Sequence, residues 1–224
     1  MFDRIAGVYD LMNGAMTAGL HHAWRAKAVD RAEVGRGASV LDVCCGTGDL
    51  AFELAGRVGP EGSVIGSDFS ERMLDVAREK ASRASERTPG VRFEWADALS
   101  LPYDDGTFDA VTVGFGVRNL ADLGAGIAEM RRVVKPGGRV VILEITTPSR
   151  PPLAWFFSLW FDRLVPLIGT LAGDREAYSY LPDSVRRFPP PRDLAALMDS
   201  RGLERVRYTV LAGGIIAIHS GRRA

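Results

Sequence analysis

Cysteine is scarce: of 224 residues only Cys44 and Cys45 carry thiols, and they are neighbours. Adjacent cysteines form an ordinary disulfide poorly and no third thiol exists. A disulfide scaffold and a cysteine-based zinc site are therefore both excluded, and no metal site is expected. A reducing, cytoplasmic compartment is the natural expectation. Charge of one sign is also missing, with Lys plus Arg at 28 and Asp plus Glu at 28. A neutral chain lacks the basic footprint that nucleic acid requires, so no nucleic-acid partner is expected. No apolar run reaches the ~18 residues of a membrane-crossing helix. Residues 1–19 show neither a continuous apolar run nor a cleavage motif, so no signal peptide is read there. Repeats and low-complexity tracts are absent as well.

What is present is enough apolar residue, 46%, to bury a substantial core in one domain spanning 1–224. Residues 1–34 read as helical, with breaks near Gly14 and Gly19. From Ser39 onward, strands and helices alternate. Strands are predicted at 39–43, 63–68, 91–95, 108–114 and 139–145, with 139–145 following a turn at Pro136-Gly137-Gly138. Helices are predicted at 49–58, 71–85 (capped by Ser70) and 123–134. This alternation implies an α/β fold with a mostly parallel sheet covered by helices on both faces. A last helix at 193–201 precedes strands 204–211 and 215–220, which read as a terminal antiparallel hairpin around Gly213-Gly214.

The first strand-to-helix turn is Asp42-Val43-Cys44-Cys45-Gly46-Thr47-Gly48-Asp49. Glycines there let the backbone turn sharply and approach a ligand closely. Asp68 ends the second strand, 22 residues beyond Gly46. That is the distance at which an acidic side chain accepts hydrogen bonds from both ribose hydroxyls. Thr47 adds a backbone or hydroxyl contact, Asp97 after the third strand can accept from an adenine amino group, and Ala98 leaves room for the ring. Gly46 to Ala51 also satisfies the dinucleotide pattern, so a nicotinamide cofactor competes with S-adenosylmethionine (SAM) on this motif alone. Two features favour SAM. Asp42 lies inside the strand, where it can face a ligand ammonium, and the terminal hairpin suits a methyltransferase sheet. No Tyr-x-x-x-Lys pair exists to serve a nicotinamide reaction. Asp42 can instead be a structural carboxylate capping backbone amides.

At this point several blocks in fixed order carry a resemblance: Phe2-Asp3-Arg4-Ile5-Ala6, Tyr9 to Asn13, Trp24-Arg25, Val40 to Asp49, Phe115-Gly116-Val117-Arg118-Asn119-Leu120-Ala121-Asp122, the less specific Lys135 to Arg139, Tyr180 to Val185 with Phe188-Pro189, and Leu211 to His219. The chain resembles the C-methyltransferase family of menaquinone and ubiquinone biosynthesis, particularly its demethylmenaquinone methyltransferases. The resemblance implies a Rossmann-like class I SAM methyltransferase. Its sheet would have seven strands, with a helical N-terminal lid at 1–35 and an apolar insertion at 149–190. It implies SAM as methyl donor and a polyprenylated quinol as acceptor, most naturally demethylmenaquinol. The sister reaction on a benzoquinol of ubiquinone biosynthesis and an inactive SAM-binding accessory protein are the alternatives. By similarity Thr47, Asp68, Asp97 and Ala98 contact SAM. Where the family often has Ser the chain has Gly114, which keeps only a backbone contact.

Ring-carbon methylation needs an electron-rich, ionised ring, and free phenols ionise only near ~10. Arg118 is the expected stabiliser of that phenolate, since its charge is permanent; a structural pair with a carboxylate such as Asp122 is the competing role. Asn119 can orient a quinol oxygen and Tyr9 can hydrogen-bond it from the lid, unless Tyr9 is a core residue. For the proton acceptor, His219 and Asp122 acting through water are the candidates, with a structural role the alternative for His219. Cys44 and Cys45 read as small buried residues. The segment 151–171, rich in Trp and Phe, reads either as a lid that admits a prenyl chain and touches a membrane surface or as an amphipathic helix on the sheet. Peripheral attachment to the inner face of the cell membrane and a homodimer are further expectations.

Overall fold

A computed structural model describes residues 17, 19–83, 90–148, 151, 155, 157, 159 and 182–224. Tyr9, most of the expected lid at 1–35 ahead of Leu20, and most of the 149–190 insertion lie outside the described residues. The elements are α1 (Leu20–Ala32), β1 (Ser39–Val43), α2 (Asp49–Val58), β2 (Ser63–Asp68), α3 (Glu71–Arg83), β3 (Val91–Trp95), β4 (Phe108–Gly114), α4 (Leu123–Val133), β5 (Val134–Ile145), α5 (Pro191–Ser200), β6 (Leu203–Leu211) and β7 (Ile216–Arg223). A single 3-10 turn, Val117–Asn119, follows β4.

Seven strands form one sheet in the order β3-β2-β1-β4-β5-β7-β6. β1 to β5 pair in parallel, and β7 joins β5 and β6 antiparallel. The expected mostly parallel sheet with an antiparallel terminal hairpin is what forms. From β1 the chain winds outward to β3 and then returns to lay β4 on the other side of β1. The crevice above the carboxyl ends of β1 and β4 is thus the switch point, where open α/β sheets bind ligands.

Alternation along the strands sorts the core into two faces. Val40, Val64, Ala110, Val141 and Leu143 pack with Ala28 of α1, Leu54 of α2 and Leu74 of α3. Leu41, Val43, Val111, Val113, Val140 and Ile142 pack with Ile127 and Met130 of α4 and Leu194 and Met198 of α5. Asp42 and Thr112, directly opposite one another in register, fall on the first face. Ile127 has no solvent exposure at the centre of the second cluster. Ile127→Ala is expected to lower unfolding free energy by about 2–5 kcal/mol, through lost transfer energy and the cavity left behind. A urea midpoint unchanged from the parent would refute this.

Helix starts follow local chemistry. Ser70 Oγ accepts the Met73 N–H at 3.3 Å ahead of α3, as expected. Asp122 Oδ1 accepts the Ala125 N–H at 2.9 Å and caps α4. One boundary differs from expectation. Pro136-Gly137-Gly138 does not end a helix and open a strand; β5 already begins at Val134, opposite Phe108, and resumes at Arg139, opposite Ala110. The three residues form an irregularity inside the strand, with Gly137 at φ +83°.

Candidate active site

A cavity of about 420 Å³ opens at the switch point, within the size range of small-molecule sites. Asp42, Gly46, Thr47, Asp68, Asp97, Ala98, Gly114 and Asn119, all singled out from sequence, line it. The turn after β1 is tightly built. Cys44 and Phe115, the residues following β1 and β4, both take left-handed backbone conformations (φ +52° and +62°). Such conformations in non-glycine residues cost of order 1–3 kcal/mol and concentrate at functional sites. A side chain at Gly116 would meet Cys44 Cβ at 2.4 Å, so the two loops touch backbone to side chain. Gly48 is not part of the lining. It has φ +86°, and a Cβ there would strike the Phe93 ring at 2.6 Å, so it serves the turn that precedes α2.

Asp68 holds this turn. Its Oδ2 accepts the Gly46 N–H at 2.8 Å and its Oδ1 the Ser70 N–H at 2.9 Å. A carboxylate is an acceptor of several hydrogen bonds, the chemistry that a ligand's hydroxyls call for. Asp97 Oδ1 accepts the Leu99 N–H at 2.9 Å, which fixes the carboxylate at the cavity edge. Thr47 Oγ1 accepts from Lys80 Nζ at 3.0 Å, and Asp49 takes a second bond from the same ammonium at 2.9 Å. At the floor, Asp42 is 1% exposed and accepts the Thr112 hydroxyl at 2.6 Å. Burial pushes its carboxyl up to about 7; the Thr112 bond opposes this, the Asp68 charge adds to it and the Arg25 charge counters it. A carboxylate held this far from water favours a cation at its open side.

Burial likewise raises the Cys44 and Cys45 thiols, so both stay protonated beside the cavity. Phe69, immediately after Asp68, is 68% exposed at the cavity mouth, its ring 5.4 Å from that of Trp95. The Trp95 indole N–H donates to the Phe69 carbonyl at 2.9 Å. The exposed pair offers an apolar face for a flat ring. Phe69 was not singled out from sequence, and the cavity-lining Arg25 entered only in the Trp24-Arg25 block of the resemblance, without a role at the site. A large apolar residue directly after the strand-ending Asp68 was the available signal for the first; nothing in the spacing of α1 pointed to the second.

Three expected catalytic residues fare differently. Tyr9 lies outside the described residues. Arg118 is not among the lining residues. Its Nη1 donates to Glu144 Oε1 at 2.7 Å and to the Phe115 carbonyl, with side chains 7% and 1% exposed. Its carboxylate partner is thus Glu144 and not Asp122, which caps α4. The Arg118 Nε is buried without a hydrogen-bond partner. His219 sits on β7, two strands from β4, between Ile142 and Tyr208. Its Nε2 bonds the Pro191 carbonyl at 2.8 Å and its ring stacks on Tyr208. Burial pulls its pKa down, which keeps the ring neutral. A proton acceptor for a ligand in this cavity does not fit that placement, because β5 and α5 occupy its surroundings. Asp122, the other candidate acceptor, has one oxygen committed to its helix cap.

These donors and acceptors suit SAM: carboxylates for hydroxyls and an ammonium, an aromatic face for a base, and a cavity of the right size. The fold agrees. A SAM-dependent methyltransferase from Aquifex aeolicus superposes with a TM-score of 0.64 at 20% identity, covering 89% of each chain. The YcgJ protein of Bacillus subtilis gives 0.65 at 20% identity, over 91% of this chain and all of that one. Closer relatives are found by sequence. A demethylmenaquinone methyltransferase of Desulfitobacterium hafniense is 46% identical over 223 residues, covering 99% of this chain and 88% of that protein. One from Deinococcus radiodurans is 46% identical over 222 residues, covering 99% and 90%. A ubiquinone/menaquinone biosynthesis C-methyltransferase UbiE of Idiomarina loihiensis is 40% identical over 222 residues, covering 99% and 88%. The profile of the ubiE/COQ5 methyltransferase family matches residues 1–223. The chain therefore belongs to the ubiE/COQ5 methyltransferase family and is a methyltransferase that takes its methyl group from SAM.

Proposed function

We propose that this chain methylates a ring carbon of a polyprenylated quinol, and that its acceptor is demethylmenaquinol. The full-length 46% identity to demethylmenaquinone methyltransferases carries this reading. The relative named for both quinone pathways is 40% identical.

SAM supplies a methyl group on a cationic sulfonium. The chain's own residues bind and align. Asp68 and Asp97 offer oxygens to the adenosine portion and Asp42 offers its buried carboxylate to the ammonium. Alignment of reacting atoms alone supplies on the order of ~7 kcal/mol in good cases. Asn119, which lines the cavity, can orient a quinol oxygen. Arg118, one residue earlier, keeps a permanent charge, and because it lies behind the cavity lining its guanidinium has to turn toward the ligand to steady a phenolate. Glu144 offsets that charge at a distance, so Arg118 acts by close contact.

The acceptor is too apolar to diffuse free in water, and peripheral membrane contact is part of the proposal. Trp155 is 71% exposed and Leu159 is exposed one helical turn on, while Phe157 is buried against Val185. Among the described residues no helix is long and apolar enough to cross a membrane. An exposed aromatic and an aliphatic on one face suit the interface instead.

The test is incubation with methyl-labelled SAM and short-chain quinols. Label is expected in the naphthoquinol product and not in the benzoquinol. Label in the benzoquinol alone would move the acceptor to the sister pathway. SAM binding with no transfer to either would make the chain an accessory protein.

A further inference from the structure

The described wall of the cavity holds the carboxylates of Asp42, Asp49, Asp68 and Asp97 but one cation, Arg25 of α1. The charges are not scattered. Asp68 and Asp97 stand at the ends of β2 and β3. Asp42 lies at the floor on the face that α1 and α2 cover, and Arg25 acts electrostatically on it.

Arg25 is buried, with its side chain 7% exposed, yet its contacts are all long. Nε reaches Glu53 Oε1 at 3.2 Å, Nη1 reaches Asp49 Oδ2 at 3.2 Å and Nη2 meets His22 Nδ1 at 3.2 Å. Charge-assisted N–H···O bonds normally close to about 2.7–2.9 Å. Asp49 is shared with Lys80, whose ammonium lies nearer at 2.9 Å. The guanidinium has five N–H groups, so donor capacity remains. A static bridge between α1 and α2 does not need such a residue at a cavity wall.

An α-amino acid end carries an ammonium and a carboxylate on one carbon. It requires an anion and a cation side by side, and Asp42 with Arg25 is the combination this cavity offers. We propose that Arg25 is a donor-binding residue: its guanidinium receives the α-carboxylate of SAM while Asp42 receives the ammonium. The inference rests on the reading of this cavity as the SAM site. It makes α1 part of the binding surface, so donor binding draws on the N-terminal helix directly.

Equilibrium binding of the full chain to SAM and to decarboxylated SAM, which keeps the ammonium and lacks the carboxylate, tests this. The parent is expected to bind SAM about 10- to 100-fold more tightly than the decarboxylated ligand, the worth of a charged hydrogen bond. Arg25→Gln should bring SAM down to the affinity of decarboxylated SAM and leave the latter within about two-fold of the parent. Arg25→Lys, which keeps the charge and loses the planar fork, should fall between them and serves if the Gln variant does not fold. Equal loss for both ligands would reduce Arg25 to a cross-link between helices and overturn the proposal. So would a parent that does not discriminate between the ligands. A parent that binds neither ligand would instead refute the cavity as the SAM site.

Discussion

Glu144→Ala will lower the melting temperature by about 10 °C. The carboxylate is 1% exposed and accepts from Arg118 Nη1 at 2.7 Å, the Ile145 N–H at 2.8 Å and the Arg118 N–H at 3.3 Å. Its removal leaves a buried guanidinium with the Phe115 carbonyl as its remaining partner. Uncompensated buried charge of this kind costs roughly 3–5 kcal/mol, and a domain of this size loses about 2–4 °C per kcal/mol. The loss belongs to breaking the pair and not to the worth of the pair. Replacing both partners together, Arg118→Met with Glu144→Leu, is therefore expected to recover most of it. That double variant also separates structure from chemistry. If Arg118 steadies the ring oxygen in the transition state, the double variant folds, keeps its SAM affinity and transfers methyl about 100-fold more slowly or worse. Undiminished transfer would confine the pair to holding β5 against the loop after β4. A Glu144→Ala protein that melts with the parent would show that the guanidinium finds water, and the buried-pair account would fall.

The strands of the parallel core were legible because each is a short apolar run bounded by turn residues, and β1 to β4 begin and end where that pattern does. The turn at Gly46 to Asp49 and the acid ending β2 were legible for the same reason: they are local features with a fixed offset. What was hidden is contact across long separations. Glu144 sits inside a strongly apolar strand and meets Arg118 from 26 residues away, and no spacing announces that partner. Asp122 looked like the partner because it is near in sequence, although an Asp just ahead of a helix is an N-cap by ordinary chemistry. His219 drew attention as a titratable group near the chain's end. The order in which β7 inserts beside β5 took it away from the switch point, and sheet order is not written in any one strand. The place of Arg25 at the cavity was hidden in the same way, since a cation on a helix is usually a solvated one. Pro136-Gly137-Gly138 is the converse case, where strong turn residues were overridden by pairing of Val134 with Phe108.

SAM will bind less tightly at pH 6 than at pH 7.5, and Asp42→Asn will abolish that difference. Burial raises the Asp42 carboxyl to about 7 in the ligand-free protein, against 3.8 when unperturbed. The folded state thus holds this proton more firmly than the unfolded chain does. The group's contribution to stability is largest below pH 4 and is lost as pH rises toward 7, the reverse of a salt-bridged carboxylate. A ligand ammonium reverses the preference, since it needs the ionised form. Binding at pH 6 must first remove a proton from most molecules, and at pH 7.5 from few. The resulting loss of affinity at pH 6 is roughly five- to eight-fold. Above pH 8 the ligand's own amine, with an ordinary pKa near 7.7–8.0, begins to lose its charge, so the affinity profile is a bell. Asp42→Asn should weaken binding about 10- to 100-fold at pH 7.5 and flatten the acid limb of that bell. It should also remove the corresponding fall in ligand-free stability between pH 4 and 7. Calorimetric Kd values across the range decide the matter. A parent profile flat from pH 6 to 7.5, or an Asn variant that keeps the slope, would mean that the buried carboxylate serves Thr112 and the strand rather than the methyl donor.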